Sequence, residues 1–205
     1  MKPKTETRIT MDFEHQARAE GFEFIAGVDE VGRGCLAGAV VAAAVILDFS
    51  KPLPEGLNDS KKVSLKNRER IAKEIQANAV CYAVAQVEAD QIDRINILQA
   101  TKKAMTSAVG KLNPAADFLL IDAVQLREIS LPQKAIIHGD AISASIAAAS
   151  IIAKTYRDNL MSELDKVYPE YGFSSHVGYG TKAHFEALRK YGACPLHRKS
   201  FRGVL

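Results

Sequence analysis

Over residues 37–47 the chain carries no polar side chain, and valine, isoleucine or alanine falls on both alternating sets of positions. A strand turns successive side chains to opposite faces, so a strand apolar on both faces must be covered on both. Such a segment belongs inside a layered protein, with helices packed against its sheet. Just before it, an apolar run ends in two adjacent acids, Asp29 and Glu30, and the chain then turns through Gly32-Arg33-Gly34. Side-by-side acids in this position call for a strand end or a ligand. Glycines admit close approach of the backbone, arginine holds phosphate and acids hold divalent cations. The combination suggests an enzyme acting on a phosphodiester.

Periodicity supplies the other elements. Residues 22–29 read as a first strand, 37–47 as a second and 80–87 as a third, with a surface helix over 65–76 between the last two. Helices are expected over 89–94 and 97–112, the latter stopped by Asn113-Pro114, where proline cannot continue a helix. Short strands at 118–121 and 134–137 precede a long helix over 143–165, and a final helix covers 183–191. This order predicts an α/β fold, a mixed β-sheet flanked by helices, with its functional groups gathered at one sheet edge. No domain boundary is evident before residue 165.

At 205 residues, with 47% apolar and 25% charged residues, the chain is long enough to bury a substantial core. Three cysteines without a CxxC pair, Cys35, Cys81 and Cys194, support neither a disulfide framework nor a zinc site. The longest apolar stretches are too short to span a bilayer, and residues 1–14 are charged without a signal-peptide core. A soluble cytoplasmic protein without a membrane association is expected, with a monomer as the default. The net charge of +3 says little, but residues 182–202 hold Lys182, Arg189, Lys190, Arg198, Lys199 and Arg202 against Glu186 alone. A basic face of this kind suits a polyanion, although a solvated charged surface is the commoner origin of such a cluster.

Four acids, Asp29, Glu30, Asp122 and Asp140, close three segments far apart in sequence. Each has a plain alternative: Asp122 as a loop acid, Asp140 as the N-cap of the long helix, Asp29 as a partner of turn amides. Together they make an all-oxygen donor set that points to Mg²⁺ or Mn²⁺ rather than zinc. Asn58-Asp59-Ser60-Lys61-Lys62 reads either as a phosphate clamp or as the approach to a helix capped by Ser64. Ser150 and Lys154, four apart, give the alanine-rich helix one polar edge, facing either phosphate or solvent. Tyr168, Tyr171, Phe173, His176, Tyr179 and His184 cluster around Gly172, Gly178 and Gly180, where rings either stack on a sugar or base or close the core. His138 and His197 read either as ligands or as surface residues.

These motifs, in this order and spacing, resemble bacterial ribonuclease HII, the type 2 ribonuclease H, from about residue 22 to the end. The matching segments are Gly27–Gly34, Asn58–Lys62, Leu120–Asp122, His138–Asp140, Ala148–Lys154 with Arg157-Asp158, and Tyr171–Phe173 through Gly178–Thr181. The resemblance implies a ribonuclease H-like core over residues 21–165 and a C-terminal helical extension over 166–205 that contributes to substrate binding. Residues 1–20 would be a short charged extension or helix, with no room for the N-terminal substrate-binding domain of type 3 enzymes. It implies hydrolysis of the RNA strand of RNA–DNA hybrids, and incision 5′ to single ribonucleotides in duplex DNA, leaving a 3′-hydroxyl and a 5′-phosphate. It also implies two divalent cations, Mn²⁺ or Mg²⁺, on Asp29, Glu30, Asp122 and Asp140. Gly32, Arg33 and Gly34 would read the ribose 2′-hydroxyl, Tyr179 would pack on the following deoxyribose, and Lys61, Ser150 and Lys154 fall in substrate-binding motifs.

Overall fold

In the computed structural model, which describes residues 9–205, the strands β1 (Ile25–Val31), β2 (Val40–Ile46), β3 (Cys81–Val87), β4 (Phe118–Asp122) and β5 (Gln133–Ile136) make one mixed sheet. Its order is β3-β2-β1-β4-β5, antiparallel from β3 to β1 and parallel from β1 to β5. The helices are α1 (Asp12–Ala19), α2 (Leu65–Asn78), α3 (Ala89–Ile95), α4 (Ile97–Val109), α5 (Ala144–Val167), α6 (Phe173–His176) and α7 (Lys182–Tyr191). The expected layered α/β fold is therefore the observed one. The four-residue α6 lacks a sequence signal because one turn is too short to show a period.

The buried β2 divides the core as its composition requires. Val40, Ala42, Ala44 and Ile46 pack with α4, while Val41, Ala43 and Val45 pack with α5 and α2. Helix α5 presents Ala144, Ala147, Ala148, Ala149 and Ala153 to the sheet, and these small side chains permit a short helix-to-sheet separation. The approach is closest at Gly27, where an added Cβ would fall on the backbone of Ser145.

Strand β1 starts and ends later than its composition suggests. Asp117 accepts hydrogen bonds from the amides of Glu23 (2.7 Å) and Phe24 (2.9 Å), which diverts them from the ladder. At the other end β2 supplies partners as far as Val31, so Asp29 stands opposite Ala43 and Glu30 opposite Ala42. The two acids thus lie inside the ladder and point to opposite faces.

Helix α1 packs Phe13 and Ala17 against Ile25, Leu120, Ile136 and Ile146; residues 1–8 lie outside the described residues. Its Glu14 is fully buried, at 0% exposure. The carboxylate accepts from Ser143 Oγ (2.6 Å) and the Ser145 amide (2.8 Å), at the positive end of the 24-residue α5. Glu14→Ala should therefore lower the unfolding free energy by about 2 kcal/mol, the order expected for charge-assisted hydrogen bonds lost from a buried site. Denaturant melts of the two proteins check this.

Candidate active site

The parallel neighbours β1 and β4 bring Asp29 and Asp122 to one end of the sheet, on the face covered by α5. A one-turn 3-10 helix, Gly139–Ala141, places Asp140 beside them just before α5. Asp140 does not cap that helix. Ser143 does, accepting from the Ile146 amide, so the plain alternative reading of Asp140 falls away. Asp29 is 4% exposed. Burial, then the charges of Glu30 and Asp122, push its carboxyl well above the usual range, against hydrogen bonds from Ser150 and the Glu30 amide. Glu30 is raised by burial and by Asp122, with Arg33 opposing. Asp122 is raised by burial and by Asp140, with the Gly139 amide opposing. Four acids from three segments thus share one electrostatic neighbourhood.

Gly32-Arg33-Gly34 follows directly. Gly32 has φ +91°, and a Cβ there would strike the Arg157 guanidinium, so the turn rests on that side chain. Arg33 is exposed and lies 3.5 Å from Glu30. The Tyr179 ring, 41% exposed, sits against Gly34, its Cε1 3.9 Å from where a Cβ would be. The turn and the tyrosine are therefore neighbours. Of the aromatic cluster, Tyr171, Phe173, His176 and His184 are buried, together with His197, while His138 is exposed.

Two arginines to which the sequence assigns no part in the turn hold this arrangement. Arg157, fully buried on α5, donates to the carbonyls of Ala39 (3.0 Å), Val177 (2.7 Å) and Ala37 (3.1 Å). Arg198, also fully buried, donates to Gly38 O from Nε (3.0 Å) and Nη2 (2.8 Å), and to Arg33 O from Nη1 (2.9 Å). Arg198 thus leaves the basic face to which its neighbours in sequence assign it, because its donors fit two main-chain acceptors behind the turn. A signal for Arg157 exists in its spacing, since Ser150, Lys154 and Arg157 recur at helical intervals on α5. Arg198 offers none, being one cation in a basic run.

Lys61 reaches toward the acids, with Nζ 3.4 Å from Asp140 and 4.0 Å from Asp59. Partial burial works against its charge, but Asp140 and Asp59 carry its pKa above the ordinary value. Ser150 is buried, and its hydroxyl lies 3.0 Å from that of Ser60. Lys154 and Arg68 both bind Asp158 at 2.6 Å, and Arg68 also donates to Ser60 O. Ser150 and Arg68 therefore brace the 58–62 loop against α5, while Lys154 shares Asp158 with Arg68. Ser64 precedes α2 without a side-chain cap bond.

A mixed sheet of this order with acids at the end of its central parallel strands defines a nuclease of the ribonuclease H-like fold. The "PCNA:RNase HII complex from Archaeoglobus fulgidus" superposes with a TM-score of 0.75 at 26% identity, over 88% of this chain and 96% of that one. The family model described as "Ribonuclease HII" matches residues 26–204. Proteins named Ribonuclease HII are 54% identical over 191 residues in Ruminiclostridium cellulolyticum, covering 93% of this chain and 74% of theirs, and 50% identical over 204 residues in Aliivibrio fischeri, covering 100% and 97%. The chain belongs to the ribonuclease HII family.

Ribonucleases H depend on divalent metal ions. Among the described residues no three acids, histidines or cysteines converge on one point as metal ligands. Each acid is turned instead to a protein donor: Asp29 to the Glu30 amide, Asp122 to the Gly139 amide, Glu30 to Arg33 and Asp140 to Lys61. Their chemistry nonetheless fits such an ion. The donors are hard oxygens, and burial with mutual repulsion destabilises the very charges that a cation would offset.

The sign of that destabilisation is testable. A carboxyl whose folded pKa is raised costs stability as pH climbs from its unfolded value through its folded one. Metal-free Asp29→Asn should therefore melt a few degrees above the metal-free parent near neutral pH, with the gap closing toward about pH 4. Mg²⁺ or Mn²⁺ should raise the melting temperature of the parent more than that of the variant. Calorimetry across pH measures both effects.

Proposed function

We propose that this nuclease hydrolyses the RNA strand of RNA–DNA hybrids and incises duplex DNA on the 5′ side of a single embedded ribonucleotide, leaving a 3′-hydroxyl and a 5′-phosphate. The observation that carries this reading is the packing of Tyr179 against Gly34, beside the acid cluster. In this reading a 2′-hydroxyl reader and a ring able to pack on the next deoxyribose stand together beside the scissile phosphate. Gly32, Arg33 and Gly34 meet the ribose, the exposed Arg33 and Gly34 leaving the turn open to a close backbone approach. A ribose in place of the deoxyribose packs poorly on Tyr179, so the pair senses an RNA-to-DNA junction rather than RNA alone.

Asp29, Glu30, Asp122 and Asp140 hold two divalent cations in this reading, Mn²⁺ or Mg²⁺. When bound, these supply an activated water and stabilise the leaving 3′ oxygen. Asp29, the most buried of these four and the one flanked by both Glu30 and Asp122, would be the natural shared ligand. Lys61 sits beside Asp140 and offers an ammonium to the phosphate. Ser150 serves substrate binding through the loop it braces, and Lys154 from the same face of α5. In this division residues 21–165 form the catalytic core and residues 166–205 extend it by supplying Tyr179. The protein acts as a cytoplasmic monomer in ribonucleotide removal from DNA; among the described residues no helix is long and apolar enough to cross a membrane.

Three duplexes test the proposal, one with a single ribonucleotide, one all-DNA and one RNA–DNA hybrid, each with Mg²⁺ and with Mn²⁺. The first and third should be cut and the second left whole; equal cutting of all-DNA would refute 2′-hydroxyl recognition. Tyr179→Ala should reduce incision at the single ribonucleotide more than cleavage of the long hybrid, by about ten-fold if the ring contributes the stacking energy usual for an aromatic on a nucleotide. A uniform loss on both substrates would mark the ring as structural.

A further inference from the structure

The extension behind Tyr179 holds three buried histidines, and main-chain donors settle the proton on each. The Cys194 amide donates to His197 Nδ1 at 3.0 Å, so the His197 proton is on Nε2. That nitrogen lies 3.0 Å from His184 Nε2, which must accept. The remaining proton of His184 is then on Nδ1, 2.9 Å from the carbonyl oxygen of Tyr179. Likewise the Gly178 amide donates to His176 Nδ1 (3.2 Å), leaving Nε2–H to donate to Tyr171 O (2.9 Å). His176 and His184 stack with ring centroids 4.4 Å apart.

We infer that the chain from Cys194 through His197 and His184 is a positioning device for Tyr179, fixing its main chain so that the ring stays against Gly34. The inference rests on the proposed reading of Tyr179 as the deoxyribose-side sensor. Little else in this loop is regular: Val177 has φ +43° and Gly178 φ +85°, and Tyr179 is bound through its amide to His176 O (2.9 Å) and through its carbonyl to the Thr181 amide (2.8 Å). The histidine bond gives that carbonyl a second donor, from the buried side. Protonating either imidazole of the chain would set two N–H groups face to face, so it works only when neutral. The groups facing it are His176, Cys194 and Tyr171, none of them a carboxylate. Burial, then the charge of His184, holds His197 down to about 4, and His184 is lowered by burial as well. The chain therefore stays neutral at ordinary pH.

Two measurements test this. Long-range proton–nitrogen NMR of the unaltered protein near neutral pH should find His197 as the Nε2–H tautomer and His184 as the Nδ1–H tautomer; His184 protonated on Nε2 would overturn the inference. The ratio of single-ribonucleotide incision to hybrid cleavage is then compared in Tyr179→Ala, His184→Phe and His184→Asn. Phenylalanine keeps the packing but loses the donor, and should lower the ratio about five-fold, the worth of one neutral hydrogen bond. Asparagine places an amide donor near the old Nδ1 position and should restore most of the ratio. Equal ratios in the phenylalanine and asparagine variants would overturn the positioning role while leaving Tyr179 as a sensor. An unchanged ratio in Tyr179→Ala would overturn the sensor reading and this inference with it.

Discussion

The contact between α5 and β1 governs the geometry of the site. Because Gly27 has no side chain, the helix backbone at Ser145 lies directly on the strand, and the alanines of α5 keep it close along β2. Everything chemical is measured from that contact. Asp140 leads into the helix, Asp29 lies one strand repeat beyond Gly27, Ser150 meets Asp29 and Ser60, and Arg157 arrives under the turn at Gly32. Cavity-filling small residues are usually a stability matter. Here they also set how near a helix-borne arginine and a strand-borne acid can come.

The acid cluster gathers charge at a cost to stability. Burial and repulsion raise the carboxyls of Asp29, Glu30 and Asp122 together. The fold tolerates this by giving each acid a compensating donor, an amide for Asp29 and Asp122 and a cationic side chain for Glu30 and Asp140. Elsewhere the protein places its charge more comfortably. Glu14 lies at the positive end of α5, and Asp158 is clasped by Arg68 and Lys154.

Much of this was legible in the sequence, for reasons that differ by residue. The two-faced apolar run of β2 fixes a covered sheet, and strand periodicity places Asp29 and Asp122 at one end of it. The Gly-Arg-Gly turn is read from its residue types, and the family resemblance singles out Tyr179. The exact ends of β1 were not legible, because Asp117, distant in sequence, takes the amides of Glu23 and Phe24. Nor was the division of the aromatic cluster, since an irregular segment has no period to separate buried Tyr171 and Phe173 from exposed Tyr179. Glu14 reads as part of a charged extension, since nothing local reveals that its acceptors are needed across the fold at Ser143 and Ser145. Arg198 hides for the opposite reason: its partners are carbonyl oxygens, which every residue has.

Arg157 and Arg198 have a consequence beyond holding the turn. Neither forms an ion pair with a carboxylate among the described residues. Burial brings Arg198 down only to about 10, so it remains charged at neutral pH. Two buried guanidinium groups thereby lie beneath Gly32 and Arg33. Surface lysines lose their pull on a nucleic acid as counterions crowd around them, whereas charge sealed inside the protein is screened much less. The modest net charge of the chain thus understates the positive charge held beneath the turn, which salt screens less than the charges on the surface.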